Sequence, residues 1–256
     1  MKLFHVSDVH FGAEDPAALA WFAACVTDER PDAVVMTGDL TMRARTDEFD
    51  AGGRWLRSLG VPVTVEIGNH DIPYYSDPIG RLFRPYKRYA AAEQLIERPL
   101  SLPGVQVVPL KTVARLQWRV DQSKGQVSRR SLAAALATIA AAPPGDLIFI
   151  AAHHPLIDVR ERALGGTHGG RGALDALAAA GAHAVLSGHI HDPFDVPYKH
   201  GGRTVRLIGA GTLSKRTRQS PPAFNEIRVG GVGFKTIVRT LSAEPDRVIG
   251  VGTDSE

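Results

Sequence analysis

Short apolar runs recur along the chain, and segments with helical periodicity separate most of them. The runs are rich in β-branched residues and too short for buried helices, so we interpret them as strands buried on both faces. They are KLFHVS (2–7), DAVVMTG (32–38), VPVTVEIG (61–68), DLIFIAA (146–152), AHAVLSG (182–188) and RTVRLIGAG (203–211). Buried strands that alternate with helices predict an α/β fold with crossover helices.

Helical segments and a terminal hairpin complete this pattern. The predicted helices cover residues 15–30, 46–59, 128–142 and 170–181, with Pro16, Thr46 and Ser128 near three of their starts. Farther on, AFNEIRVG (223–230) and GFKTIVRTL (233–241) predict a hairpin through a glycine-rich turn. We therefore expect one domain over residues 1–241. The small and acidic residues of 242–256 predict a loosely ordered C-terminal tail.

Composition limits the classes of function without choosing among them. The 256 residues are 44% hydrophobic, which is enough for a full core, and 30 Lys and Arg nearly balance 27 Asp and Glu. Such a small excess does not predict duplex binding, which needs a concentrated basic face. Cys25 is the only cysteine, and no apolar stretch is long enough for a signal peptide or a membrane span. We expect a soluble, cytoplasmic protein with no membrane partner.

Polar residues with metal-binding side chains follow the predicted strands. The ends read Asp8-Val9-His10, Gly38-Asp39, Gly68-Asn69-His70-Asp71, His153-His154-Pro155 and Gly188-His189-Ile190-His191. The carboxyl ends of parallel strands lie along one edge of a sheet, where α/β folds bind ligands. In an extended chain, residues two apart point to the same face. We therefore expect Asp8 to converge with His10, and His189 to converge with His191.

The residue types at these ends indicate a metal centre. Carboxylate, amide and imidazole groups without a thiolate suit Mn, Fe, Zn or Co. About seven ligands are too many for one ion and enough for two divalent ions that share a carboxylate. Taken singly, each motif also has an ordinary structural explanation, such as a turn, a helix cap or a solvated loop. The five motifs in this order, each at a strand end, are far more specific than any one of them.

The ordered set resembles the calcineurin-like metallophosphoesterases, whose pattern runs D-x-H, G-D, G-N-H-D/E, a histidine at a strand end, and G-H-x-H. The resemblance extends from Asp8 to His191. It implies a four-layer α/β/β/α sandwich of two mixed β-sheets flanked by helices, with a dinuclear site at the strand C-terminal edge. It further implies three sets of ligands: Asp8, His10 and His191 for one ion, Asn69, His153 and His189 for the other, and Asp39 as the bridge.

The resemblance also assigns roles around the metals. Relatives with H-x-P use the histidine two before the proline, so His153 is the expected ligand, and His154 supports a ligand or faces the substrate. His70 matches a non-ligating histidine near the leaving group, with Asp71 a candidate to orient its ring. The implied reaction is phosphoester hydrolysis by attack of a metal-bridging hydroxide on phosphorus.

The substrate is less well specified. IGAGTLSKRTRQSPPAFNEIRV (208–229) resembles the bacterial branch that includes cyclic-nucleotide phosphodiesterases, and GNHD departs from the GNRD of lipid A precursor hydrolases. We therefore expect a small phosphodiester substrate, with cyclic nucleotides as candidates. A phosphomonoesterase or a nuclease on the same site is the alternative, followed by a non-catalytic scaffold that binds proteins.

Loops are expected to set specificity. The insert at 72–101 interleaves aromatic and basic residues, which predicts either stacking on a nucleotide or single strand, or a helix that packs its aromatic side on the domain. A nucleic-acid partner thus stays open without being favoured. His168 and Arg216 are predicted substrate contacts. If GFKTIVRTL were an edge strand it could pair with a second subunit, which leaves a homodimer open.

Overall fold

The structure is a computed structural model that describes residues 1–73, 80, 83–97, 100–114, 124–159, 166–231 and 233–242, and the backbone alone of 247–253. Within the predicted insert, Tyr74, Tyr75 and Arg81 lie outside the described residues. The same holds for the last three residues of the predicted tail.

Strands and helices alternate through most of the described chain. The strands are β1 (Lys2–Val6), β2 (Ala33–Met36), β3 (Val63–Val65), β4 (Val105–Pro109), β5 (Leu147–Ala151), β6 (Ala184–Ser187), β7 (Phe194–His200), β8 (Arg203–Gly209), β9 (Ala223–Gly230), β10 (Gly233–Thr240) and β11 (Arg247–Thr253). The α-helices are α1 (Pro16–Glu29), α2 (Thr46–Ser58), α3 (Lys87–Ile96), α4 (Arg129–Ala140) and α5 (Gly170–Ala179), and Asn69–Asp71 form a 3₁₀ turn. All the predicted strands and helices are present, most of them with shorter bounds.

Local capping explains where two of the helices begin. The carboxylate of Asp15 accepts the backbone N–H groups of Ala17 and Ala18, and Pro16 occupies the first helical position of α1. The Ser128 hydroxyl caps α4 by accepting the N–H of Ser131. These are the start signals that the sequence shows.

The strands form two mixed sheets. The first has six strands in the order β11-β10-β9-β1-β2-β3, and the second has five in the order β4-β5-β6-β8-β7. β1, β2 and β3 are parallel to one another, as are β4, β5, β6 and β8, whereas β9 and β7 pair antiparallel with their neighbours. The C-terminal ends of the parallel strands therefore lie at one edge of each sheet.

Three apolar cores separate four layers. Side chains such as Phe4, Phe22 and Leu56 join the first sheet to α1, α2 and α3. A second core, with Leu3 and Phe149 at its centre, lies between the two sheets. A third core joins the second sheet to α4 and α5. The α/β/β/α sandwich implied by the resemblance is confirmed.

Several elements differ from the sequence prediction. β10 lies between β9 and β11, so GFKTIVRTL is not an edge strand and gives no basis for a homodimer. Residues 247–253 form β11 where the sequence predicts a loose end, because their backbone pairs with β10. β4 and β7 were not predicted at all. The half-exposed face of β7 and its Pro197 hide the apolar pattern of a buried strand.

Two of the three described aromatic residues of the insert follow the structural interpretation, whereas Phe83 is 70% exposed. The Tyr89 hydroxyl donates to Val65 O at 2.6 Å, and the Tyr86 hydroxyl donates to Val113 O at 3.3 Å. α3 therefore turns these two rings toward the domain, while Lys87 and Arg88 are exposed. None of the described helices is both long and apolar enough to cross a membrane.

Candidate metal centre

The predicted ligands meet where the two sheets adjoin. Asp8 and His10 follow β1, Asp39 follows β2, and Asn69 lies in the 3₁₀ turn after β3. The second sheet contributes the remaining histidines: His153 and His154 after β5, and His189 and His191 after β6. The site thus spans the C-terminal edges of both sheets.

The backbone at these positions is left-handed rather than extended. Five predicted ligands have positive φ: Asp8 (56°), His10 (50°), Asp39 (53°), His189 (70°) and His191 (65°). Few non-glycine residues adopt this conformation, and it clusters at functional sites. The expectation of an extended chain at these strand ends is therefore wrong. His189 and His191 lie in different clusters, although side chains two apart on a strand would share a face.

The first cluster contains Asp8, His10 and His191. His191 Nε2 lies 3.2 Å from His10 Nε2 and 3.2 Å from Asp8 Oδ1. His191 Nδ1 donates to Arg216 O at 2.7 Å, and His10 Nδ1 faces Thr41 O at 3.4 Å. With Nδ1 protonated, each imidazole that gives up its Nε2 proton would present the Nε2 lone pair to a cation held between the two rings and the carboxylate. A cation between these atoms would satisfy all three.

The second cluster contains Asn69, His153 and His189. Asn69 Oδ1 lies 3.0 Å from His153 Nε2 and 3.1 Å from His189 Nδ1. His153 Nδ1 donates to Thr37 O at 2.8 Å, which fixes the ring with Nε2 toward the cluster. Backbone carbonyls commonly orient metal-binding histidines in this way.

Asp39 lies between the two clusters. Its Oδ2 is 3.4 Å from His153 Nε2 and 3.7 Å from His10 Nε2, so one oxygen faces both clusters. The other oxygen accepts the backbone N–H of His70 at 2.8 Å. This is the position that a bridging carboxylate requires.

The donor atoms fit two divalent cations. Asp8 Oδ1 is buried and makes no hydrogen bond within the described chain, although such an atom is costly to leave unpaired. A Cβ on Gly188 would clash with Asp8, and a Cβ on Gly68 would clash with Asp39, so both carboxylates are tightly enclosed. The ligands are oxygen and imidazole nitrogen, which suits Mn, Fe, Zn or Co.

Electrostatics favours ionised carboxylates here. Burial alone would raise the pKa of Asp8, but attraction to His191 holds it well below its usual range. Likewise, burial opposes ionisation of Asp39, but His153 holds the Asp39 pKa low and has its own pKa raised to about 9, against the effect of burial, by the Asp39 charge. Burial lowers the pKa of His10 and of His189 to about 4, which keeps both imidazoles neutral and able to bind metal.

Asp71 has a different role from the one that the sequence predicts. Its carboxylate accepts N–H groups from Leu40, Thr41 and Gly68 at 2.8 to 3.2 Å. The His70 ring instead donates from Nδ1 to Met42 O at 2.8 Å. Asp71 therefore ties the loop after β2 to the loop after β3, and the Met42 carbonyl orients His70. Burial, followed by repulsion from Asp39, raises the pKa of Asp71 to about 6.

Residues 1–193 match the family described as calcineurin-like phosphoesterase. The chain belongs to this family. The match covers the strand ends from Asp8 to His191, which are the residues that form the two clusters.

Two curated relatives of this calcineurin-like phosphoesterase are named as phosphodiesterases. A probable cyclic nucleotide phosphodiesterase of Rhodococcus erythropolis is 26% identical over 219 residues, covering 74% of this chain and 64% of the relative. A glycerophosphodiester phosphodiesterase of Enterobacter lignolyticus is 33% identical over 82 residues, covering 28% of this chain and 30% of the relative. The chain thus spans less than two thirds of either relative.

Solved structures share the fold at low identity. A dimetal phosphatase from Danio rerio superposes with a TM-score of 0.67 at 15% identity, covering 100% of this chain and 99% of that one. A purple acid phosphatase from yellow lupin seeds gives a TM-score of 0.68 at 12% identity, covering 97% of this chain and 53% of that one. These likenesses support the sandwich architecture and carry no information on substrate.

Of the three predicted substrate contacts, the structure brings Arg216 directly to the clusters. Its Nη1 lies 3.1 Å from His70 Nε2 and 3.3 Å from His10 Nε2. Its carbonyl is the acceptor for His191 described above. Arg216 thus touches the site with both main chain and side chain.

Of the other two, His154 lies beside the second cluster and forms a possible metal-binding group with His153 and His189, whereas His168 lies elsewhere. His154 is buried, with its Nδ1 2.9 Å from Thr112 Oγ1 and its ring 4.6 Å from that of His189, so it supports the second cluster from behind. His168 is exposed, and its backbone pairs with the segment around Gln126. No metal-binding group found among the described residues includes His168.

Sequence reasoning missed the groups that orient the ligands. Thr37 and Met42 act through backbone carbonyls, which leave no trace in the residue type. The Thr212 hydroxyl donates to Asp8 O at 2.6 Å and holds the left-handed turn after β1. The G-T at the end of RTVRLIGAGT was the available signal for Thr212.

Proposed function

We propose that the chain hydrolyses phosphodiesters, with small diesters such as cyclic nucleotides as substrates, at a centre of two divalent ions. The observation that carries the proposal is the pair of buried clusters that share one carboxylate oxygen of Asp39 as a neighbour. Bound there, two ions would lower the pKa of a water molecule and offset charge on phosphoryl oxygens. Family membership supports a phosphoesterase, and the names of both relatives favour diesters over monoesters.

Arg216 would hold the substrate phosphate. When His10 Nε2 binds an ion, its lone pair no longer accepts an N–H, so the guanidinium is left beside the clusters with free donors. A guanidinium binds phosphate oxygens through parallel, charge-assisted hydrogen bonds. Arg216 also reaches His70 Nε2, which brings the phosphate contact and that ring together.

His70 would act on the leaving group. Its Nδ1–H is held by Met42 O, so Nε2 faces the space that Arg216 enters. His70→Ala should lower kcat by about 100-fold or more for an alkyl leaving group, and far less for nitrophenolate, which needs no proton. Steady-state rates on matched alkyl and nitrophenyl diesters measure this. Equal losses on both would contradict the assignment.

The proposal is tested with metal-stripped protein reconstituted with Mn²⁺. Rates on bis(p-nitrophenyl) phosphate and p-nitrophenyl phosphate are compared for the native chain, Asp39→Ala and Asp28→Ala. Asp28 is an exposed carboxylate on α1 and serves as the matched control. We expect hydrolysis mainly of the diester, lost in Asp39→Ala and kept in Asp28→Ala.

Two other results of this assay would contradict a phosphodiesterase. Preference for the monoester would replace the phosphodiesterase with a phosphatase. No hydrolysis of either ester, with metal still bound, would favour a binding role.

We also propose a reducing, cytoplasmic setting, which the single Cys25 supports because it cannot form an internal disulfide.

A further inference from the structure

A cavity of about 500 Å³ lies between α2 and α3, apart from the metal clusters. We call it the α2–α3 groove; it is lined along α2 from Thr46 to Arg57 and along α3 from Lys87 to Leu95. Its volume lies within the range of ligand-binding sites, about 300 to 1,000 Å³. None of the predicted metal ligands lines it.

Positive charge is concentrated in the groove. Among the described residues that line it, the charged ones are five cations and one carboxylate: Arg54, Arg57, Arg84, Lys87, Arg88 and Asp50. The whole chain is nearly balanced, with 30 basic and 27 acidic residues. The excess is therefore a local property of this surface and not a consequence of composition.

Four of these cations have no counter-ion among the residues that the structure describes. Within the described chain, no ion pair engages Arg54, Arg57, Arg84 or Lys87. Elsewhere, buried carboxylates pair with arginines, as Asp195 does with Arg206. Like charges that share one cavity repel each other, so a bound anion would lower the energy of the groove.

The cations lie at two levels. At one end, Arg88 Nη1 donates to Ala44 O at 3.1 Å, just before α2 begins. At the other end, α2 approaches the end of α3 beside Arg54: a Cβ on Gly53 would lie 3.6 Å from Ile96 Cδ1. From residue 88 to residue 96, α3 rises about 12 Å. A ligand that contacts both levels would therefore be extended, because one phosphate cannot reach both.

The first level adjoins the metal centre. Pro73 lines the groove and comes four residues after Asn69, so their Cα atoms are at most about 14 Å apart. Thr46, also in the lining, ends the loop that begins at Asp39. At Pro73 the lining of the groove is therefore within about this distance of a predicted metal ligand.

We propose that the α2–α3 groove binds the phosphate backbone of a single-stranded oligonucleotide. Its repeating phosphates match the spaced cations, and Leu95, 69% exposed in the lining, offers an apolar contact for a sugar or base. A duplex is too broad for a groove between two packed helices, whose axes lie about 8 to 10 Å apart. Cleavage of the bound strand rests on the proposed function, whereas binding does not.

Binding is tested on the full chain, metal-stripped, by fluorescence anisotropy with a labelled short oligothymidylate. The groove variant is Arg54→Glu/Lys87→Glu, and the matched control is Arg129→Glu/Arg130→Glu, two exposed arginines at the start of α4. We expect affinity to fall by about 10-fold or more in the groove variant and to stay within about twofold in the control. The dependence of log K on log salt should become shallower by about 1.4, since two phosphate contacts are lost.

Equal losses in the two variants, or equal competition by polyglutamate and unlabelled oligothymidylate, would overturn the proposal. Hydrolysis of bis(p-nitrophenyl) phosphate separates this failure from that of the proposed function. If the native chain hydrolyses the diester and the groove variant binds oligothymidylate normally, only the groove proposal fails. If the native chain is inactive but the groove variant loses affinity, the groove proposal stands and the phosphodiesterase fails.

Discussion

Two buried histidines, one on β1 and one just past its end, have different surroundings. His5, on β1, has both ring nitrogens hydrogen-bonded: Nε2 to Thr37 Oγ1 at 3.0 Å and Nδ1 to Asn225 Nδ2 at 3.2 Å. His10, just past β1, presents Nε2 to the Nε2 of His191. Burial of a histidine is thus compatible with a self-contained core contact. Convergence of several lone pairs is what indicates a cation-binding site.

Removing divalent ions is the strongest test of this difference. We expect a chelator to abolish phosphodiester hydrolysis and to lower Tm, because ions that bind only the folded state stabilise it by about 2.7 kcal/mol at 100 times Kd. Mn²⁺ should restore both in the native chain and neither in Asp39→Ala. An unchanged Tm after addition of the chelator would show that the clusters need no cation.

Mutation of His5 tests whether this histidine is a core residue that takes no part in metal binding. His5→Ala removes a buried ring and takes away the partner of the Thr37 hydroxyl, while Asn225 Nδ2 keeps only Gly209 O, so we expect a loss of about 2 to 4 kcal/mol in unfolding free energy. Bound metal per chain, measured by elemental analysis, should stay as in the native protein. Lost metal with unchanged stability would mean that His5 belongs to the metal centre.

The pH dependence of stability sharpens the same contrast. Burial lowers the pKa of His5 to about 3, although the Asp8 charge opposes the shift. Between that pKa and the ordinary 6.5, the unfolded chain binds a proton that the folded chain excludes, so stability falls as pH falls. We expect His5 to contribute about 2 kcal/mol of the loss between about pH 7 and pH 5. Urea unfolding of His5→Gln should show a shallower pH slope than the native chain; identical slopes would contradict this.

Buried carboxylates show a similar contrast, with a smaller expected effect on stability. Asp8 and Asp39 face histidines and have lowered pKa values, whereas burial, followed by repulsion from Glu93 and Glu97, raises the pKa of Glu66 well above its usual value. The folded state therefore holds a proton on Glu66 that the unfolded state loses, and stability falls as pH rises above about 4.3. Glu66→Gln should raise Tm by a few degrees near pH 8 and change it little near pH 4. A lower Tm near pH 8 would refute this.

Much of the architecture follows from local sequence signals. Apolar runs, Pro16 and Ser128 locate strands and helix starts because those signals act within a few residues. Pairing partners are not local: β11 joins the first sheet through a backbone ladder that weakly apolar residues do not announce. The same limit hid β4 and the central position of β10.

The sequence likewise predicts some features of the metal centre and not others. The sequence motifs place Asp8, Asp39 and His153 at strand ends, which identifies the ligand types. They do not reveal the left-handed backbone, and an extended chain would pair the wrong histidines. The role of Asp71 depends on which amides surround it, a fact of loop packing that residue type does not encode.

The arrangement of ligands across both sheets has a consequence for biosynthesis. The first cluster joins Asp8 to His191, and the second joins Asn69 to His189. Neither cluster is therefore complete until the end of β6 has been translated. Because synthesis runs from the N-terminus, a nascent chain exposes single carboxylates and imidazoles long before it can hold an ion as the finished fold does. Metal loading therefore comes late, and ion retention reports that the two sheets of a newly made molecule have docked.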